Sequence, residues 1–219
     1  MKDITNTILN GFINEFLEKE SNIVAMNATT SNGIEKSALN CLELRKINHQ
    51  FSISIPTGDI TNQKQSGRCW MFAGLNFLRL EVMKNLNIKT IELSQSYPLF
   101  YDKLEKSNYF LENIIETKEE NLDSRYVQFL LKDPLQDGGQ WDMFKSLVKK
   151  YGVVPKEVMP EVVRSSATKE MDRYLTLKLR EFARDIRNDK NLSLTELREK
   201  KKGMLDEVYR ILSICLGTP

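Results

Sequence analysis

Apolar positions recur at helical spacing along most of this chain. Ile4, Ile8, Phe12, Ile13, Phe16 and Leu17 predict an N-terminal amphipathic helix. Residues 22–33 are rich in Asn, Thr and Ser and read as irregular chain, followed by a short helix over 35–46. Phe51, Ile53 and Ile55 alternate with Ser52 and Ser54, which predicts a strand ended by Pro56 and Gly58. Met71, Leu75, Leu78, Val82 and Leu86 then mark a helix with one wide buried face. Ser94, Ser96 and Pro98 signal another helix start. Tyr97, Tyr101, Leu104, Asn108 and Leu111 form its predicted packing stripe. A short helix is expected over 123–131. A longer one is carried by Trp141, Phe144, Leu147, Val148 and Tyr151, with Gly152 as its stop. Met171, Leu175, Leu179, Phe182 and Ile186 predict a long helix. Ser193 and Glu196 form a capping box for a last helix carrying Leu197, Met204, Val208, Ile211 and Cys215. The pattern is mainly α, with one or two short strands.

Composition narrows the class more than it names it. A chain of 219 residues is one large domain or two small ones, and its apolar and charged shares are ordinary for a globular protein. A net charge of +2 gives no reason to expect nucleic acid or an anionic membrane as a partner. The basic cluster Lys200-Lys201-Lys202 has no interleaved aromatic platform and reads as a solvated face. No apolar run approaches the roughly 20 residues of a membrane span, and residues 1–5 lack the apolar core of a secretion signal. Cys41, Cys69 and Cys215 are odd in number and widely spaced. They form neither a disulfide framework nor a metal cluster, so a reducing cytoplasm is expected, with no metal or other cofactor.

The chemistry concentrates in Thr61–Ala73. Small or hydroxyl-bearing Ser66 and Gly67 precede the apolar helix, which places Cys69 in its first turn. Unpaired N–H groups and peptide dipoles there favour an anion, and thiolate is the attacking form of cysteine. A cysteine on a helix also serves simply as a small buried hydrophobe. Gln63, six residues upstream, carries a side-chain amide able to donate to an oxyanion. The run Asn62-Gln63-Lys64 followed by Ser66-Gly67-Arg68-Cys69-Trp70 resembles the active-site segment of papain-like cysteine peptidases, in its bleomycin hydrolase and aminopeptidase C form. Ser66 and Arg68 depart from the general papain signature, and both departures match that branch.

Asp137-Gly138-Gly139-Gln140-Trp141 is the second informative stretch. Paired glycines before a helix make a turn, and their bare backbone also admits an extended peptide alongside. The same resemblance makes Gly138, Gly139 and Trp70 candidate substrate contacts, with Cys69 as nucleophile and Gln63 as oxyanion donor. It implies the helical lobe of a papain-like α+β fold over 59–219, preceded by an N-terminal arm over 1–58. A general base is also needed. The single histidine, His49, lies upstream of Cys69, whereas in papain-like enzymes the histidine and its orienting asparagine lie downstream. The resemblance therefore implies the cysteine-bearing half of a longer aminopeptidase, inactive without its C-terminal lobe. Family members are typically hexameric rings acting on peptides. Two other readings use the same residues: a helical interaction domain with an incidental cysteine, and a thiol-dependent transferase or deamidase.

Overall fold

The computed structural model describes residues 3–219, of which the chain forms two compact units, Met1–Ile55 and Pro56–Pro219. In the first, Thr5 opens α1 (Asn6–Leu17) by accepting the Ile8 N–H at 3.4 Å. Residues 22–33, expected to be irregular, are instead most of α2 (Glu20–Asn32), which Gly33 stops at φ 80°. Asn and Thr ordinarily compete with the helix for backbone partners, but here they bond within it. Thr30 Oγ1 donates to Met26 O at 2.8 Å and Asn32 Nδ2 to Ala28 O at 3.0 Å. The helix expected over 35–46 is two single turns, α3 (Ile34–Ser37) and α4 (Cys41–Leu44). The strand expected at Phe51–Ile55 does not form: the segment is unpaired, and Phe51, Ile53 and Ile55 are exposed. Alternation makes a strand only where a neighbouring edge supplies hydrogen bonds.

The second unit is built from α5 (Cys69–Leu86), α6 (Ser96–Glu116), α7 (Arg125–Lys132), α8 (Trp141–Tyr151), α9 (Val163–Ser166), α10 (Lys169–Asn188) and α11 (Leu194–Leu216). Its hub is α6, which packs on α7, α8, α10 and α11. The predicted stripe of α6 is mostly half-buried; Leu99, Phe100, Phe110, Leu111, Ile114 and Ile115 carry the core. A helix with neighbours on several sides buries more than one stripe. On α10 the predicted stripe is the buried one, Met171 through Ile186. On α11 the buried line ends on Leu212 and Leu216 rather than Ile211 and Cys215.

One close contact positions α5. Met71 and Leu75 are buried, but the expected face fades through half-buried Leu78 and Val82 to exposed Leu86. Gly74 lies against α8 so closely that a Cβ there would be 2.6 Å from the Phe144 ring. Strand structure is limited, among the described residues, to single bridges: Gln65 with Ala167 in parallel and Leu93 with Pro155 antiparallel. The chain is 64% helical, a mainly α fold. Among the described residues no helix is long and apolar enough to cross a membrane, and no three His, Cys, Asp or Glu side chains gather as metal ligands.

Candidate active site

Cys69 is the first residue of α5, and it is exposed. The approach to it is fixed from behind by short-range bonds. Asn62 Oδ1 accepts the Lys64 N–H at 2.8 Å, which supports a left-handed turn at Lys64 with φ 51°. Gln63 Nε2 donates to Ser66 O at 2.6 Å, and Ser66 Oγ donates to Gln63 O at 2.7 Å. One N–H of the Gln63 amide is thereby spent on the loop, leaving a second donor.

Arg68, not Ser66 or Gly67, is the residue that opens the helix, and it makes no side-chain cap. Its side chain is fully buried. Nε donates to Ser66 Oγ at 2.8 Å, while Nη1 and Nη2 form a fork on Glu161 at 2.8 and 2.7 Å. Glu161 also accepts from Ser96 and Ser165 hydroxyls, each at 3.0 Å. Burial alone would raise the Glu161 carboxyl; the Arg68 fork and these hydroxyls outweigh it and hold the group below its ordinary value.

The 136–139 loop is tied to the residues on either side of Cys69. Asp137 Oδ2 accepts the Gly67 N–H at 2.8 Å and the Thr168 hydroxyl at 2.6 Å. Asp137 Oδ1 accepts from Lys103 Nζ at 2.6 Å, and Trp70 Nε1 donates to the Asp137 main-chain carbonyl at 2.8 Å. Lys103 is fully buried in α6 and lies 2.8 Å from Asp172 Oδ1 as well. Burial opposes charge on Asp137, but the Lys103 ammonium and its hydrogen bond hold the carboxyl well below the usual carboxylate range. Asp172 goes the other way: burial, with Asp137 as a negative neighbour, pushes it up to about 7 against the pull of Lys103. Two carboxyls thus share one buried ammonium, and one of them keeps its proton until near neutrality.

The two glycines play different parts. A Cβ at Gly139 would be 2.5 Å from the Trp70 ring, so Gly139 is closed off by packing. Gly138 is exposed and meets nothing within 4 Å. Its carbonyl accepts from Lys106 Nζ at 2.7 Å, the same amine that bonds Gln136 O and pairs with Asp102 at 2.8 Å. Lys106 also lines a groove of about 660 Å³ between α6 and α8, with Tyr109, Met143, Leu147 and Tyr151 as its apolar wall. Burial pushes Asp102, in the same groove, up to about 6 despite the Lys106 charge.

Cys69, Trp70, Gly138 and Gly139 are therefore drawn together through Asp137, while Gln63 braces the loop that delivers Cys69. His49 is exposed and belongs to the Met1–Ile55 unit. Sequence reasoning gave no role to Lys103, Asp137, Glu161 or Asp172. One signal was available: Lys103 falls in register with apolar Leu99 and Phe110 on α6, and a lysine on such a stripe calls for a buried counter-charge.

A thiol opening a core helix, a Gly-Gly turn pinned beside it and a helical scaffold behind both define the cysteine-bearing helical lobe of a papain-like fold. Comparison with known proteins agrees. The Peptidase C1-like family model matches residues 3–219, and the chain belongs to that family. It is 40% identical to aminopeptidase C of Lactobacillus delbrueckii subsp. lactis, over 100% of this chain and 49% of that protein. Aminopeptidase C of Listeria monocytogenes is 43% identical over 99% of this chain and 49% of its own. Bleomycin hydrolase of Homo sapiens is 41% identical over 90% of this chain and 45% of its own. The crystal structure of PepW from Lactobacillus rhamnosis superposes with a TM-score of 0.93 at 45% identity, covering 99% of this chain and 49% of that one. The chain spans about half the length of the curated relatives it matches.

Proposed function

We propose that Cys69 is the nucleophile of a cysteine aminopeptidase that releases N-terminal residues from peptides. The observation that carries this reading is the exposed thiol at the head of α5, with the open backbone of Gly138 on the loop pinned beside it. The thiolate attacks the scissile carbonyl carbon, and the free N–H of Gln63 stabilises the oxyanion. The amine departs with a proton from a general acid, and water then hydrolyses the thioester. Trp70 supports the ledge along which the substrate lies. The acid–base residue and its orienting partner are assigned to sequence outside residues 1–219, so these residues alone would be inactive. That assignment is supported by the place of the single histidine, His49, upstream of Cys69 in the chain. A hexameric assembly in the cytoplasm belongs to the same reading, and a solution mass near six chains checks its first part.

The test is hydrolysis of aminoacyl-coumarin amides by the full gene product. Turnover should vanish in Cys69→Ser, and iodoacetamide should label Cys69 ahead of Cys41 and Cys215. Unchanged turnover in Cys69→Ser would refute the assignment.

A further inference from the structure

We infer that Asp137 is a positioning residue that sets the gap between the reactive sulfur and the substrate ledge, with Lys103 as the buried charge that keeps it in place. The inference rests on the peptidase reading of Cys69 and deepens it. Asp137 bonds to both sides of the cysteine. Its carboxylate takes the N–H of Gly67, two residues before Cys69, at 2.8 Å. Its main-chain carbonyl takes the indole N–H of Trp70, one residue after, at 2.8 Å. The next residue in the chain is Gly138, whose backbone is the open part of the ledge. One residue thus ties the cysteine segment to the ledge.

The contact has no slack. A Cβ on Gly67 would lie 2.5 Å from Asp137 Cβ, and one on Gly139 would lie 2.5 Å from the Trp70 ring. The loop is also gripped by α6. Lys103 Nζ reaches Asp137 Oδ1 at 2.6 Å, and Lys106 Nζ holds the carbonyls of Gln136 and Gly138 at 2.8 and 2.7 Å. A loop that needed only to be covered would be served by apolar side chains, since a buried ion pair is a poor source of net stability. What the charged pair adds is direction: an ionised carboxylate aimed at one backbone N–H, and a fixed ammonium behind it. Attack requires reacting atoms about 3–3.5 Å apart, and a displacement of about 1 Å can cost about a hundredfold in rate.

The experiment compares Asp137→Asn with wild type in the full gene product. Asparagine keeps the shape and removes the charge. We expect kcat for an aminoacyl-coumarin substrate to fall about 10- to 100-fold. Iodoacetamide, which needs no ledge, should alkylate Cys69 within about threefold of the wild-type rate. Gly67→Ala pushes on Asp137 from the other side and should give the same split. If Asp137→Asn alone fails to fold, the double variant Lys103→Met with Asp137→Asn removes both charges; it should fold and still show the loss of kcat. Turnover within twofold of wild type in Asp137→Asn, or in the double variant, overturns the inference while leaving Cys69 as nucleophile. A loss of alkylation in parallel with turnover also overturns it, because the role would then be general support. No turnover by wild type sinks both this inference and the peptidase reading.

Discussion

Replacing Glu161 by glutamine should destabilise this protein more than replacing its partner Arg68, although arginine is the larger side chain. The Arg68 guanidinium is fully buried, and it has Glu161 as its only ion-pair partner among the described residues, at 2.7 Å. It also lies 5.1 Å from the centre of the Phe72 ring and donates to Ser66, but neither group carries a compensating charge. Glu161→Gln leaves that cation unpaired. Breaking a buried pair in this way costs about 3–5 kcal/mol, and for a chain of this size each kcal/mol lowers the melting temperature by about 2–4 °C. A loss of about 6–20 °C is expected at pH 7. In Arg68→Met the remaining Glu161 keeps its hydroxyl donors from Ser96 and Ser165, and its side chain is 21% exposed. It can take up water or a proton, so the loss should be smaller. The pH dependence follows from the depressed carboxyl. A group lowered on folding contributes its stability above the unfolded value, about 4.3, and loses it as pH falls through the folded one. The gap between wild type and Glu161→Gln should be full at pH 6–7 and shrink below about pH 4. Thermal unfolding followed by circular dichroism measures both. A melting point for Glu161→Gln within about 3 °C of wild type, or a larger loss in Arg68→Met, would refute the reasoning.

Three further outcomes are expected. Gly139→Ala should lose stability and turnover together because its Cβ meets the Trp70 ring at 2.5 Å, whereas Gly138→Ala should keep its melting point and lose turnover; denaturation and substrate assays on both variants separate them. Gln63→Ala should reduce kcat about a hundredfold while costing only about 1 kcal/mol through the lost bond to Ser66 O, and near-normal turnover would remove Gln63 from the site. Asp172 keeps its proton in the folded protein up to about 7 but only to about 4 when unfolded, so this group makes stability fall as pH rises across that interval. Asp172→Asn should therefore melt higher relative to wild type at pH 8 than at pH 5, and an equal difference at both values would contradict the raised carboxyl.

Long helices were legible because periodicity and caps agreed. The Met171–Ile186 line became the buried face of α10, and the Ser193–Glu196 box does cap α11, with Ser193 N–H on Glu196 at 2.8 Å. Errors arose where local preference and tertiary setting part company. The Asn- and Thr-rich run forms α2 because its side chains bond back into the helix, and Phe51–Ile55 forms no strand because no edge pairs with it. Within the site, the cysteine and the glycines were visible as motifs. Their supports were not, since Arg68 finds Glu161 from 93 positions away and Gly67 finds Asp137 from 70. Nothing in a linear pattern says which charged residues will be sealed under helices.

The most telling mismatch is at the head of α5. Sequence placed a small capping residue there, as is usual for a helix of 18 residues. Ser124 caps α7 by accepting the Val127 N–H and Ser193 caps α11 by accepting the Glu196 N–H, whereas the N-cap residues of α6, α8 and α10, like that of α5, make no side-chain cap. At α5 the capping position is Arg68, its side chain turned inward to Glu161, and among the described residues no side-chain oxygen caps the first turn. A hydroxyl or carboxylate in that place would occupy the N–H groups that otherwise attract an anion. The chain entering the uncapped helix is instead fixed in place by the Arg68 fork on Glu161 and by Asp137 on the Gly67 N–H. On the proposed peptidase reading, the helix end beside Cys69 stays open to the negative charge of the attacking thiolate and of the oxyanion that develops as it attacks.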